Sequence, residues 1–201
     1  AEGIDGLVLD VKVGGGAFMK TVDEARRLAE SMVRAGQLAG VRTEALLTRM
    51  DAPLGRAVGN AVEVAESIET LRGQGPRDLT ELSVILAARM VVLAGRAATL
   101  DDAERQVREA MASGAGLDRF RRMVARQGGD PAVVDDPSRL ALAPGREYAR
   151  APRSGYLTGL DAMGIGRAAA ALGAGRATAD DRVDHGVGIR VLASLGALVR
   201  A

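Results

Sequence analysis

The chain has 201 residues, 27 basic and 26 acidic side chains, and neither cysteine nor tryptophan. That near-neutral balance, with only two Phe and two Tyr, supplies neither the basic footprint of a nucleic-acid binder nor the aromatic platforms that stack single-stranded bases. Lack of cysteine excludes disulfides and thiolate metal sites, and no apolar run reaches the roughly 20 residues of a membrane-spanning helix, so the chain reads as a cytoplasmic protein with no membrane partner.

Ile4–Val13 is a continuous apolar run that carries Asp10 and Lys12 near its end. Such a run between turn signals predicts a parallel strand covered on both faces. Gly14, Gly15 and Gly16 follow, and then an amphipathic segment with Ala25, Leu28, Ala29, Met32 and Val33 at helical spacing. Thr21 or Asp23 serves as its cap, and Gly36 or Gly40 as its stop. Residues 41–48 read as a second strand, which completes a right-handed βαβ unit.

Asn60 with Glu63 three residues on has the spacing of a capping box for a helix over 61–72. Asp78 opens a longer helix over 79–95, with Leu79, Leu82, Ile85, Leu86, Met90 and Leu93 expected inside. Two further amphipathic helices cover 101–113 and 116–127, and 128–154 reads as a connector. Beyond it come a short strand in 155–160, a helix over 163–172 and a strand in 187–192. The fold class is therefore α/β: a largely parallel sheet flanked by helices in residues 1–140, then a smaller, incomplete α+β lobe in 141–201. An opening on a strand without an initiator Met reads as a start inside a domain, and the pattern ending at Ala201 reads as unfinished.

The glycine run fits neither G-x-G-x-x-G nor a phosphate-cradling P-loop, so spacing leaves open a ligand contact or a tight strand-to-helix turn. Lys12 inside an apolar strand needs a partner, and Asp10, two residues back on the same face, supplies one. A structural pair and a substrate-facing pair both suit that spacing. His185 between Asp184 and Gly186 reads as a loop residue rather than an acid or base. Glu63, Glu66 and Glu69 read as a solvated helix face, with Glu66 as the candidate exception.

Taken together, LDVKVGGGAFMKT (9–21), ALLTRMDAPLGRAVGNAVEVAESIETLRGQGPRDL (45–79), MVARQGGDPAVVDD (123–136), LGAGR (172–176) and DHGVG (184–188) resemble the pyrimidine nucleoside phosphorylase and thymidine phosphorylase family. The resemblance implies reversible phosphorolysis of thymidine or uridine, with phosphate as co-substrate and no nicotinamide or flavin. It also implies that the phosphate-binding groups and the Arg, Ser and Lys that hold the pyrimidine lie upstream, so this stretch alone is expected to be inactive. Of the pocket, Phe18 matches a position beside the pyrimidine 5-substituent, and Lys12 and Asp10 lie on the strand beneath. Leu54 and Ala57, through their carbonyls, and Glu66, through its carboxylate, match positions that hold a potassium ion. A homodimer through N-terminal helices outside this stretch is implied as well. The alternatives are a phosphoribosyltransferase of the anthranilate type, which the PLG-x-AVGNA-x-EV run disfavours, and a non-catalytic structural or binding domain.

Overall fold

The computed structural model describes residues 3–176 and 178–201. Strand β1 (Gly6–Val13), helix α1 (Val22–Leu38) and strand β2 (Arg42–Arg49) form the expected βαβ unit, and β1 and β2 pair in parallel from Gly6 against Arg42 to Val13 against Arg49. Paired residues of a parallel ladder share a face. Leu9, Val11 and Val13 with Ala45 and Leu47 pack against Ala25 and Ala29 of α1. The opposite face carries Asp10, Lys12, Glu44 and Thr48.

The expectation of a strand buried on both faces is corrected here: within β1 only Val11 is buried, while Gly6 and Asp10 are exposed. Among the described residues β1 and β2 stand as a two-stranded sheet, so each strand has a neighbour on one side only.

Thr21 caps α1, with its hydroxyl accepting from the Glu24 N–H at 3.3 Å and the Glu24 carboxylate accepting from the Thr21 N–H at 3.0 Å. The helix runs through Gly36 because Thr43 packs where a side chain would stand, and it stops before Gly40, whose φ is +76°. Leu28 and Met32, expected inside, are partly exposed.

Three residues of β3 (Ala57–Gly59) precede α2 (Ala61–Leu71), α3 (Arg77–Leu93), α4 (Leu100–Ala112) and α5 (Ala115–Arg126). The Asn60–Glu63 capping box does not form. Asn60 sits at the cap position, but its amide donates to the Ala174 carbonyl at 2.8 Å, and Glu63 accepts instead from the Gly59 N–H. In α3 the fully buried residues are Val84 and Ala88, whereas Ile85 and Met90 face outward. Residues 84–93 of that helix hold a single polar side chain, Arg89, so they carry no clear periodicity to say which face turns inward.

Residues 128–154 hold two 3-10 turns, Pro131–Val134 and Pro137–Arg139. Val134 is fully buried there, and Arg72 at the end of α2 donates to the Val134 and Asp135 carbonyls at 2.7 and 2.9 Å.

The C-terminal part contributes β4 (Gly155–Tyr156), α6 (Ala162–Ala169), β5 (Gly188–Arg190) and β6 (Leu198–Val199). Strand β4 pairs antiparallel with β6, and β5 pairs antiparallel with β3. The second of these ladders joins the stretch after the parallel sheet to the last part of the chain.

The cap on α1 is testable in the intact protein. Thr21→Ala should cost about 1 kcal/mol, and Thr21→Ser should recover most of it, as read by denaturant unfolding. The Thr21 backbone N–H, then the Thr21 hydroxyl and the Lys20 N–H, hold the Glu24 carboxyl below its ordinary range. Its stabilising contribution is therefore complete above that range and disappears as pH falls through the lowered folded value. Glu24→Gln should match the parent in stability in acid and fall behind it at neutral pH.

Candidate functional site

Lys12 and Asp10 lie toward the carboxyl end of β1, at the edge where open α/β sheets bind ligands. The Lys12 ammonium lies 2.6 Å from Asp10 Oδ2 and donates to Thr48 Oγ1 at 3.0 Å. The Thr48 hydroxyl in turn donates to Asp10 Oδ1. Thr48 stands opposite Lys12 in the ladder, so the register of two parallel strands assembles the cluster. Both ionic side chains keep about a quarter of their surface exposed, 28% for Lys12 and 25% for Asp10. This is a part-buried cluster that still reaches solvent.

The glycines then fold the chain sharply back beside β2. Gly14 has φ +122°, and the space a side chain would need there is filled by the Asp51 carboxylate. That carboxylate accepts the Gly15 N–H at 2.8 Å, and Gly16 donates to the Met50 carbonyl at 2.7 Å. A Cβ on Gly16 would lie 2.6 Å from that carbonyl and 2.7 Å from the Ala162 methyl of α6. Lys20 closes the turn by donating to the Gly15 and Ala17 carbonyls at 2.8 and 2.7 Å. Both lysines of the chain thus serve this one corner. Phe18, at the outer tip of the turn, is 97% exposed, so its ring covers nothing within this chain.

The second candidate cluster is the loop before β3. Glu66 is 7% exposed, and its carboxylate accepts the Arg56 N–H at 2.9 and 3.1 Å and the Ala57 N–H at 3.2 Å. Gly55, with φ +72°, passes so close that a side chain there would meet Glu66 Oε2, and its N–H donates to Asp78 Oδ2 at 3.1 Å. Two carboxylates from two helices therefore hold one loop. Among the described residues Glu66 takes part in none of the ion pairs, and no hydrogen bond ends on the Leu54 carbonyl. A buried anion without a cationic side chain, serving a loop that keeps an uncommitted carbonyl, suits a weakly charged hard cation. The residues present fit potassium as part of an oxygen ligand set. Glu63 and Glu69 are more exposed on the same helix.

Thr48 and Asp51 were not among the residues singled out from sequence, and Asp78 was read only as the opening of a helix, because their partners lie 36, 36 and 23 positions away. His185 is exposed, and its carbonyl accepts the Ala61 N–H at 3.0 Å.

Residues 1–117 match the model of the glycosyl transferase family, a/b domain, and residues 156–201 match that of the pyrimidine nucleoside phosphorylase C-terminal domain. The chain belongs to that glycosyl transferase family. Curated pyrimidine-nucleoside phosphorylases of Staphylococcus aureus strains USA300, NCTC 8325 and N315 are each 49% identical to it over 196 residues. The match covers 98% of this chain and 45% of those proteins, so this member spans about half the length of its curated relatives. Both family segments carry one of the clusters' supports: Glu66 and Lys12 lie in the first, and α6 and β5 in the second.

Glu66→Gln should destabilise the intact protein by on the order of 2 kcal/mol, because one amide oxygen replaces a carboxylate that accepts buried N–H groups. Glu63→Gln and Glu69→Gln should each stay within about 0.5 kcal/mol of the parent. Equal losses in all three variants would show that Glu66 holds no special place.

Proposed function

We propose that this chain forms the C-terminal part of an enzyme that cleaves pyrimidine nucleosides with phosphate. The observation that carries this reading is the 49% identity to pyrimidine-nucleoside phosphorylases along 98% of the chain. In the reaction a phosphate oxygen bonds to the anomeric carbon as the bond from that carbon to the ring nitrogen breaks. The electron pair of the broken bond leaves with the base, which takes up a proton, and the sugar departs as its 1-phosphate. Most of the catalysis then consists of positioning and of stabilising charge on the departing base.

Within this reading Lys12 and Asp10 form part of the floor of the nucleoside pocket, and Phe18 supplies an apolar wall against the ring. Its near-complete exposure is the state of a side chain whose contact surface comes from a ligand or from the rest of a longer protein. The division of the chain near residue 140, a cytoplasmic setting and a homodimer belong to the same proposal. Leu54, Ala57 and Glu66 would hold a potassium ion, which when bound supplies the charge that neutralises the Glu66 carboxylate. The loop itself is already ordered by the backbone N–H groups that Glu66 accepts.

The intact protein should release free base from thymidine or uridine only when phosphate is present. Release at the same rate without phosphate would make it a hydrolase. Phe18→Ala should raise KM for the nucleoside more than it lowers kcat, as expected when a contact binds ground state and transition state alike. Exchanging potassium for a large organic cation should lower the melting temperature of the parent, and Glu66→Gln should abolish that response.

A further inference from the structure

We infer that Thr48 is a positioning residue for substrate binding, through its hold on Lys12. The inference rests on the phosphorolytic reading above and names the chemistry that one of its pocket groups recognises. An ammonium has three N–H donors. One of those on Lys12 meets Asp10 Oδ2 and a second meets Thr48 Oγ1, so one remains. Both oxygens of Asp10 are engaged, one on Lys12 and the other accepting from Thr48. The Thr48 hydroxyl accepts from one partner and donates to the other, which fixes its orientation.

The one donor of the cluster left open is therefore a single N–H at the ligand-binding end of the parallel strands. The Asp10 carboxylate already balances the charge behind that N–H. A donor of this kind suits a neutral oxygen acceptor, such as a ring carbonyl or a sugar hydroxyl, and is poorly suited to a phosphate dianion. Thr48 keeps the ammonium pinned between two strands, where a free lysine would sample many rotamers. Thr48 belongs to β2 and Asp10 and Lys12 to β1, so the arrangement exists only in the register observed.

The test uses the full-length enzyme with steady-state kinetics for both substrates. Thr48→Val, which keeps the shape and removes the hydroxyl, should raise KM for the nucleoside roughly fivefold, the equivalent of one ordinary hydrogen bond, and leave KM for phosphate unchanged. Thr48→Ser should restore the parent value. In the reverse direction an effect on KM for the free base places the acceptor on the ring, and an effect on KM for the sugar phosphate places it on the sugar. A serine variant as impaired as the valine variant would overturn the inference, because the methyl group and not the hydroxyl would then matter. So would a rise in KM for phosphate alone, or a loss of kcat with both KM values unchanged and a lowered melting temperature. A parent enzyme without phosphate-dependent base release would instead remove the function proposed above, and this inference with it.

Discussion

A buried carboxylate that satisfies the backbone of a loop is the constraint on which the joining of this structure depends. Glu66 accepts the N–H groups of Arg56 and Ala57 from inside the fold. From the loop it fixes, the Arg56 carbonyl accepts the Val191 N–H at 2.7 Å, and Ala57–Gly59 pairs with Gly188–Arg190. Slightly earlier, the Asp51 carbonyl accepts the Ala162 N–H at 3.2 Å, while its carboxylate takes the Gly15 N–H. Residues 51–60 thus touch the glycine turn on one side and the C-terminal part on the other. Leaving those N–H groups unsatisfied in a buried position would cost more than the bonds themselves contribute. This is why a carboxylate with no cationic partner is tolerated there.

The same segment places the chemistry. Parallel strands bring Lys12 and Thr48 level with each other, and Asp10 comes onto their face by the two-residue period of a strand. Gly14 and Gly16 give way to Asp51, Met50 and Ala162, so the turn is held by close backbone approach rather than by contacts of Phe18. Phe18 is thereby displayed at the edge where the polar cluster also ends. One corner thus carries an exposed apolar ring and a hydrogen-bonded ammonium.

How much of this was legible in the sequence follows from the range of each interaction. The α1 cap was narrowed to Thr21 or Asp23 because a cap and its partner lie within one helical turn, and the structure selects Thr21 with Glu24. Asn60 and Glu63 have the same spacing, yet Ala174, 114 residues away, captures the asparagine amide. The βαβ unit was readable from apolar runs and turn residues, but the burial of β1 was not, since it depends on what covers each face. Helix α3 was found by length and composition, and its inward face was missed because residues 84–93 hold a single polar side chain. Lys12 and Asp10 could be paired from their two-residue spacing. Thr48 could not be added to them, because nothing short of the strand register says that it lies opposite Lys12. Glu66 was separable from Glu63 and Glu69 only through the family resemblance, since the loop it serves lies ten residues before it.

Amide hydrogen exchange at Arg56 and Ala57 in the intact protein tests the role of Glu66 most directly. If the buried carboxylate holds the loop, both amides should be protected to about the level of the β3–β5 ladder, although Arg56 lies in a loop. Glu66→Ala should release these two amides and the ladder together. Exchange at the rate of an exposed loop in the parent protein, or an intact β3–β5 ladder in Glu66→Ala, would contradict the account.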